Sequence, residues 1–392
     1  MKTGIHRSIH AVDSAAWDAM NPNRYPGLLH GFLSALEDSR SVGEGTGWQP
    51  VYVTCDDADG LAGAMVCYLK HDSYGEYVFD WAWADAYQRH GLQYYPKVIT
   101  AVPFTPATGP RLLLRSGVDQ AVITRRLIDC ARTELIDHFS SWHVLFPDAP
   151  SESALKSSGE WIERHGVQFH WFNQGFTCFD DHLALFNSKR RKEARRERRR
   201  VAEQDIHFER LDGHALDSSA LSVLFQCYQM TYAVRGSRGY LTEDFFRLVA
   251  ERIPDSLCVA FARQHGERMA MSFCLRDQTT LYGRYWGALA DVDCLHFETC
   301  FHQWIDYAIT ERIQRFDPGA QGEHKIARGF QPVKTKSLHW IKEPEFRRAI
   351  NDFVKRERAH IQHYFAACDE HTPFKAMEAD LGLEVDSRKT PL

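Results

Sequence analysis

The chain has 392 residues, of which 44% are hydrophobic and 25% charged, with a formal net charge of −5. This is the composition of a soluble globular protein long enough for two domains, and it excludes a general electrostatic affinity for nucleic acid. The ten cysteines include no Cys-x-x-Cys pair, and the longest apolar run, at 62–69 apart from Gly63, is too short to span a bilayer. The first residues lack the apolar core of a signal peptide. We therefore expect a cytoplasmic enzyme or binding protein with reduced thiols and no membrane span, and its oligomeric state stays open.

The first half of the chain predicts strands interspersed with helices. A helical period covers 30–40, and apolar residues spaced three and four apart predict an amphipathic helix over 118–139. Three prolines prevent regular structure in the loop 103–110. Alternating or continuous apolar runs bounded by turn residues predict strands at 51–55, 60–70, 74–81, 98–102, 142–146 and 167–172.

The second half repeats this kind of alternation. A long helix is predicted from about 176 through 203, and shorter helices and strands follow it. The predicted helices are 221–233, 243–252 and 295–313, the last with Asp293 as N-cap, and the predicted strands are 257–262, 269–275 and 280–286. The polar tail after residue 377 is expected to be disordered. Together these elements indicate an α/β (α+β) chain of two similar lobes.

Two blocks in different halves resemble each other. Residues 63–70 read Gly-Ala-Met-Val-Cys-Tyr-Leu-Lys before Tyr74-Gly-Glu-Tyr77, and residues 270–276 read Ala-Met-Ser-Phe-Cys-Leu-Arg before Tyr282-Gly-Arg-Tyr285. Glu76 thus stands where Arg284 stands in the second block. The spacing of roughly 200 residues favours two similar domains, with a chance likeness between two hairpins as the alternative. We expect a first lobe at 1–174, a second lobe at 175–376 that carries the active site, and a tail at 377–392.

Glycine, aromatic and charged residues crowd together between 281 and 332. Buried charge is costly unless paired, so this cluster is either a polar pocket or a solvated loop, and the apolar residues within it favour the pocket. Strand alternation would place Tyr282, Arg284 and Trp286 on one face, with Gly283 and Tyr285 on the other. The candidate bases are Glu298, Glu323, His296 and His324, and the candidates to hold negative charge are Lys325, Arg328 and Arg284. Each of these side chains has a structural role as its alternative.

The segment 189–200 holds nine basic and two acidic residues, which leaves −12 for the rest of the chain. Such a concentration of positive charge in one segment favours a face that binds the phosphates of RNA, a nucleotide sugar or a lipid head group. The alternative is a solvated helix. Arg191 and Arg195 lie one helical turn apart and are predicted to act as one phosphate clamp.

The sequence lacks the motifs of several common enzyme classes. His296-Phe-Glu298 resembles the His-x-Glu of zinc deaminases, but no Pro-Cys-x-x-Cys follows, so no metal is expected. No Gly-x-Ser-x-Gly elbow is present, and Gly319-Ala-Gln-Gly322 lacks the Lys-Ser/Thr of a P-loop. Acyl transfer to an amine fits what remains, because it needs a base for the nitrogen and donors for the oxyanion.

With these residues in view, the chain resembles the FemAB-like family of peptidoglycan biosynthesis/recognition proteins. The blocks that carry the resemblance run over nearly the whole chain. They include Glu37-Asp-Ser39, Thr46-Gly-Trp48, Gly75-Glu-Tyr-Val-Phe-Asp80, Tyr94-Tyr-Pro-Lys97, Pro103-Phe-Thr-Pro106, Gly109-Pro-Arg111, Tyr282-Gly-Arg-Tyr-Trp-Gly287, Leu295-His-Phe-Glu298, Gly319-Ala-Gln-Gly-Glu-His-Lys325 and Arg328-Gly-Phe330.

The resemblance implies a tandem of GNAT-type acyltransferase lobes. Fem relatives move amino acids from aminoacyl-tRNA to the amine of a peptidoglycan precursor, assisted by a lysine shortly before a Gly-Phe pair. Lys325 is the nearest match here, with Arg328 as substitute. Neither lobe has the Arg/Gln-x-x-Gly-x-Gly/Ala pyrophosphate loop of acetyl-CoA-using enzymes, which makes acetyl-CoA the less expected donor. The chain also lacks the coiled-coil insertion that some Fem ligases place around tRNA.

We therefore expect no tightly bound cofactor, and an acyl donor that is either aminoacyl-tRNA or acyl-CoA. The acceptor would be an amine, on a cell-wall precursor by the resemblance, with tRNA held by the 189–200 helix. Glu323, Lys325, Glu298 and His296 are the expected catalytic residues. The expected substrate-binding residues are Tyr282, Arg284, Tyr285, Trp286, His324, Arg328, Arg191 and Arg195. The alternatives are a non-catalytic module that recognises a cell-wall precursor or RNA, and an acyl-CoA-dependent N-acyltransferase for a small metabolite.

Overall fold

The computed structural model describes residues 1–136, 139–320 and 322–374. Within them a single mixed sheet runs through the molecule, flanked by helices. Its strands are β1 (Lys2–His6), β2 (Trp48–Asp57), β3 (Gly60–Lys70), β4 (Lys97–Thr100), β5 (Leu113–Leu114), β6 (Ser141–Leu145), β7 (Ile162–Phe172), β8 (Ile206–Asp212), β9 (Leu257–Gln264), β10 (Glu267–Arg276), β11 (Thr280–Ala288), β12 (Arg315–Asp317) and β13 (Gln331–Ile341).

The helices lie between these strands, and most begin at a side-chain cap such as Asp119 or Asn187. They are α1 (Ser14–Ala19), α2 (His30–Asp38), α3 (Trp81–Arg89), α4 (Gln120–Glu134), α5 (Ala149–Ser157), α6 (Phe179–Ala184), α7 (Ser188–Ala202), α8 (Ser218–Ala233), α9 (Glu243–Arg252), α10 (Leu295–Phe297), α11 (Gln303–Thr310) and α12 (Pro344–Glu370). A π-helical turn, Glu298–His302, joins α10 to α11.

The two halves arrange their strands in the same order when each half is counted inward from its own edge of the sheet. The full order is β1-β2-β3-β4-β6-β13-β7-β12-β11-β10-β9-β8, with β5 beside β3. Each half contributes one parallel pair, β4 with β6 and β11 with β12, and the remaining neighbours are antiparallel. The predicted fold class, two similar lobes built on mixed sheet and flanking helices, is confirmed.

The last strand of each half crosses into the other half. β13 lies between β6 and β7, with Ser337 opposite Leu145, and β7 lies between β13 and β12, with Phe172 opposite Arg315. The two crossing strands also pair with each other along their length. The boundary predicted at residues 174 and 175 stays a prediction, because the sheet is continuous through it.

Hydrophobic cores cover both faces of this sheet. The largest joins the two halves, because Phe32 of α2 packs on Phe245 of α9 and Tyr25 packs on Tyr282. A second core lies under α4 in the first half, and a third lies under α11 in the second. The halves therefore share buried apolar surface as well as backbone pairing.

The internal echo is confirmed for its first part and wrong for its second. Residues 63–70 and 270–276 lie on β3 and β10, which occupy equivalent places in the strand order. The predicted strand over 74–81 is instead a turn followed by α3, because Gly75 and Tyr77 have positive φ angles of 78° and 62°. Tyr74–Tyr77 is therefore not equivalent to Tyr282–Tyr285 on β11. The turn brings Glu76 to the buried ammonium of Lys97, at 2.9 Å.

Two predicted helices are interrupted. The helix over 176–203 breaks between α6 and α7, where Asn187 caps the second helix. The helix over 295–313 is interrupted by the π-helical turn Glu298–His302. Its N-cap residue is Cys294, which has a left-handed φ of 66°, and not the predicted Asp293. Asp293 pairs with Arg200 instead. The predicted tail at 377–392 lies outside the described residues.

Gly287 on β11 is the glycine that has the least space for a side chain among the described residues. A Cβ atom added there would lie 1.8 Å from the backbone oxygen of Cys227 on α8, and that backbone cannot yield as a side chain would. We expect Gly287→Ala to lower the free energy of unfolding by about 3 kcal/mol or more in urea denaturation.

Gly166→Ala on β7 is the matched control, because its added Cβ meets only the hydroxyl of Thr335, at 2.8 Å. This variant should stay within about 1 kcal/mol of the parent protein. Equal effects of the two substitutions would contradict the close contact between α8 and β11.

Candidate active site

The candidate site lies where the parallel pair of the second half ends. Tyr282 and Asp317 form the last pair between β11 and β12, after which β11 continues to Ala288 while β12 stops. The chain turns at Gly319, whose φ of 91° favours glycine. Ligands of open α/β sheets bind outside the carboxyl ends of strands. The carboxyl end of β12 is therefore the expected position of a ligand site.

Lys325 is the most unusual side chain at this end. It lies in the 3₁₀ segment Glu323–Arg328 and is only 3% exposed. Its Nζ donates hydrogen bonds to the carbonyl oxygens of Gly319 at 2.7 Å and Pro318 at 3.4 Å. No carboxylate of the described chain lies within ion-pair distance of it. Burial lowers the pKa of Lys325 to about 8, and the negative charge of Asp317 offsets only part of this effect.

Asp317 and His170 complete the cluster, and neither was predicted from the sequence. The Asp317 Oδ1 atom accepts from the backbone nitrogen of Gly319 at 3.0 Å and lies 3.5 Å from His170 Nε2. Burial lowers the pKa of His170. Asp317 Oδ2 and His170 Nδ1 are buried without a hydrogen-bond partner. Buried polar atoms normally have partners, so these two atoms mark the cluster as unusual.

Asp317 was marked in the sequence only by the turn residues Asp317-Pro318-Gly319. His170 gave no signal, because it lies within a strand that the sequence predicts as a closing element of the first half. The two residues come together only because β7 crosses to β12. That crossing has no signature in either segment.

A β-bulge at Arg284 changes the faces predicted for β11. Phe273 pairs with Tyr285 and the next residue of β10 pairs with Gly283, so Arg284 is left without a partner on β10. Tyr282 and Tyr285 consequently both face the shared core, whereas Trp286 faces the opposite side. The predicted face of Tyr282, Arg284 and Trp286 is therefore wrong. Arg284 donates instead to the carbonyl oxygen of Phe104 in the first half.

The other predicted catalytic residues point in different directions. The ring of His296 packs against Trp286 and lies 5.9 Å from the ring of His324, and burial lowers the pKa of His296 to about 4. Glu298 is buried, accepts from Gln303 at 2.7 Å and lies 3.3 Å from Arg198. The predicted single cleft, lined by these side chains with Lys325, stays a prediction.

Glu323, His324 and Arg328 line a separate cavity of about 620 Å³ between α7 and α12. Glu323 accepts from the hydroxyl of Tyr364 on α12 at 2.9 Å. Arg328 pairs with Glu197 and stacks over the ring of Phe297 at 3.4 Å. Glu197 also lies 2.9 Å from His302. Arg328 is thus neutralised within the protein.

The basic helix α7 divides into engaged and free side chains. Arg191 donates to the carbonyl oxygens of Leu183 and Phe186 at the end of α6, and Arg195 pairs with Asp180 at 2.9 Å. Both side chains of the predicted clamp therefore already have partners within the protein, and the clamp stays a prediction. The exposed cations of α7 without an ion pair in the described chain are Lys189, Lys192 and Arg196. Their spacing of three and four residues places them on one helical face.

A family model described as peptidoglycan biosynthesis/recognition matches residues 8–376. The chain belongs to the FemAB-like family. Among solved structures, FemX aligns over 90% of this chain and 100% of its own, with 10% identity and a TM-score of 0.51. A protein of unknown function from Bacteroides thetaiotaomicron VPI-5482 aligns over 87% of this chain and 100% of its own, with 13% identity and a TM-score of 0.50.

L-PGS from Bacillus licheniformis aligns over 83% of this chain and 95% of its own, with 10% identity and a TM-score of 0.48. None of the curated proteins matches the chain in sequence. At these identities the structural matches show the fold alone.

Across residues 1–136, 139–320 and 322–374, no three His, Cys, Asp or Glu side chains gather as a metal site would require. No helix in that part of the chain combines the length and apolarity needed to cross a bilayer.

The depressed pKa of Lys325 has a consequence for stability. Between pH 8 and the ordinary lysine value of 10.5, the unfolded chain holds a proton that the folded chain has lost, so stability should rise with pH across this window. Lys325→Met removes the titration. We expect the variant to be more stable than the parent at pH 7, by up to about 3 kcal/mol, and this advantage to shrink from pH 8 upward.

The measurement is urea denaturation at pH 7, 8, 9 and 10. The exposed Lys355 on α12 supplies the control, because Lys355→Met should follow the parent protein at every pH. A difference between Lys325→Met and the parent protein that stays constant with pH would contradict the lowered pKa.

Proposed function

We propose that the protein is an acyltransferase that forms an amide, with its reaction centre at the carboxyl end of β12. The observation that carries this proposal is the buried, carboxylate-free ammonium of Lys325 beside the unpartnered Asp317 oxygen. Perturbed ionisable groups cluster at functional sites because catalysis needs pKa values near the working pH. The family to which the chain belongs supports a role in peptidoglycan biosynthesis or recognition.

The chemistry requires a proton acceptor and a stabilised oxyanion. The acceptor amine attacks the donor's ester or thioester carbonyl, the amide bond forms, and the alcohol or thiol leaves with a proton. Lys325, as an ammonium, donates to the carbonyl oxygen as negative charge develops there. Its present acceptors, two backbone carbonyls, are neutral, so an anionic oxygen competes with them favourably.

Asp317 takes the role of proton acceptor for the attacking amine, and the backbone nitrogen of Gly319 orients its carboxylate. Its free Oδ2 atom is the only carboxylate oxygen of this cluster that lacks a hydrogen-bond partner within the described residues. Glu298 also has a buried oxygen without a hydrogen-bond partner, Oε2, but its Oε1 accepts from Gln303 and lies 3.3 Å from the cationic Arg198. Glu323 faces α12, so both carboxylates suit this role less well. His296 and His324 form an aromatic wall beside the cluster.

Aminoacyl-tRNA is the favoured donor and the amine of a cell-wall precursor the favoured acceptor, with acyl-CoA as the alternative donor. The free cations Lys189, Lys192 and Arg196 support an RNA contact, and Arg196 also lines the cavity of about 620 Å³. These three side chains form a stripe on α7, and we propose this stripe as the phosphate contact in place of the clamp of Arg191 and Arg195.

Mass spectrometry of ligands that copurify with the native protein tests the donor and acceptor. Charged tRNA or a nucleotide-linked peptide would support the cell-wall reaction, and an acyl-CoA would select the metabolite N-acyltransferase. Ligands that remain unmodified when donor and acceptor are incubated together with the protein would favour the non-catalytic recognition module instead.

Lys325 should be decisive for turnover. We expect Lys325→Met to lower the transfer rate at least about 100-fold, because the oxyanion loses its charged donor. The parent protein should lose activity as pH rises above about 8, where the ammonium deprotonates. The residual activity of Lys325→Arg should lack this decline, because a guanidinium stays charged.

Lys355→Met, which changes an exposed lysine of α12, should retain the parent rate. The proposal fails if Lys325→Met keeps full activity, or if activity continues to rise beyond pH 8 in the parent protein. Thermal melting of each variant separates a catalytic loss from unfolding.

The free stripe on α7 should govern the salt dependence of RNA binding. We expect the triple change of Lys189, Lys192 and Arg196 to alanine to weaken tRNA binding and to lower the slope of log K against log salt by about 2, because fewer counterions are released. Filter binding between 50 and 200 mM salt measures both quantities.

Arg191→Ala is the informative comparison. It removes one positive charge but also the hydrogen bonds to the end of α6, so we expect a lower melting temperature with little change of salt slope. Equal slopes for the parent and the triple variant would exclude α7 as the RNA contact.

A further inference from the structure

A second cavity, of about 710 Å³, lies between the two halves and is not part of the Lys325 cluster. The first half contributes the amino-terminal turns of α4 and α5, and the second half contributes the starts of β11 and β12. Its volume lies within the range of sites for small organic molecules. Hydroxyl groups dominate its polar lining, among them those of Thr108, Thr124, Ser153, Thr279 and Thr280.

Arg315 at the start of β12 is the one arginine among the described residues that lines this cavity, and its guanidinium is unengaged there. No hydrogen bond or ion pair of this side chain occurs within the described residues, and its Nε atom is buried. A buried guanidinium nitrogen without an acceptor loses its hydration without compensation. An acceptor from outside the protein would remove this cost.

A second buried donor faces the same cavity from the opposite half. Thr124 on α4 is 2% exposed, and its hydroxyl has no partner. It lies one turn above Gln120 and Ala121, at the amino-terminal end of a 15-residue helix where the helix dipole favours negative charge. The lining of this cavity thus combines two donors without partners with a positive helix end.

The carboxylates in the lining are already engaged. Asp277 accepts from the backbone nitrogens of Thr279 and Thr280 at 2.8 and 2.7 Å and from the hydroxyl of Tyr282 at 2.8 Å. Asp148 caps α5 by accepting from the nitrogen of Ser151 at 3.0 Å. Neither carboxylate lies within ion-pair distance of Arg315, so the arginine keeps an uncompensated charge.

We propose that this cavity binds a small organic phosphate, whose phosphate group accepts from the Arg315 guanidinium and the Thr124 hydroxyl at the start of α4. A phosphate suits the site better than a carboxylate because its oxygens can accept from several hydroxyl donors at once. The remaining volume and the threonine and serine hydroxyls accommodate a polar organic body. Because the cavity is lined by both halves, the bound ligand joins them.

Isothermal titration of the full-length protein with inorganic phosphate, and separately with acetate, tests the site. We expect saturable phosphate binding that is tighter than acetate binding. Arg315→Gln should weaken it at least about 10-fold, and Thr124→Val about fivefold, as charged and neutral hydrogen bonds do. Thr124→Val keeps the shape of the side chain, so its loss of affinity does not come from misfolding.

Arg125→Gln is the matched control, because Arg125 follows Thr124 on α4 but is exposed to solvent, and it should leave phosphate binding unchanged. Tighter binding of acetate would replace phosphate by carboxylate and overturn the ligand class. Absence of saturable binding, or binding that survives both Arg315→Gln and Thr124→Val, would show that the cavity holds only water.

Discussion

The pairing of β7 with β13 is the constraint on which the rest of the structure depends. These two strands come from different halves, pair along their length, and each also closes the sheet of the opposite half. Backbone groups of a central strand must be paired because water cannot reach them. Neither half can satisfy this requirement alone. The shared core, in which Tyr25 packs on Tyr282, and the position of His170 beside Asp317 both follow from this crossing.

The two halves hold their buried lysines in different surroundings. In the first half, Lys97 is fully buried between Glu76 and Asp80. Burial raises the pKa of Glu76 to about 8, whereas Lys97 and His143 overcome the effect of burial on Asp80 and hold its pKa at about 2. The buried charges therefore balance as one ammonium and one carboxylate. In the second half Lys325 has no such partner, which leaves its charge available to a substrate.

The sequence predicted the fold well where local pattern decides it. The apolar runs at β2, β3, β9 and β10, and the helix α9, lie where period and turn residues placed them. It failed where backbone dihedral angles or distant partners decide, as at the turn through Tyr77 and at the bulge of Arg284. Neither feature changes the composition of its segment, so neither is visible in a pattern.

The candidate site was predicted only in part for the same reason. Lys325 was identified from the cluster of charged residues between 281 and 332 and from the family resemblance, and it is buried in the structure. Asp317 and His170 were missed, because their proximity depends on a strand that crosses from the other half. The family and its overall architecture were within reach of the sequence, whereas the electrostatics of the site were not.

The crossing of β13 also has a consequence for synthesis on the ribosome. The first half is translated completely before β13 exists, so its strands β6 and β7 wait for a neighbour that ends at Ile341. During this interval two strand edges that are central in the finished sheet are exposed, and such edges promote aggregation of nascent chains. A truncated chain that ends before β13 would keep this exposure permanently. Factors that hold nascent chains therefore matter most for this protein between the emergence of β7 and that of β13.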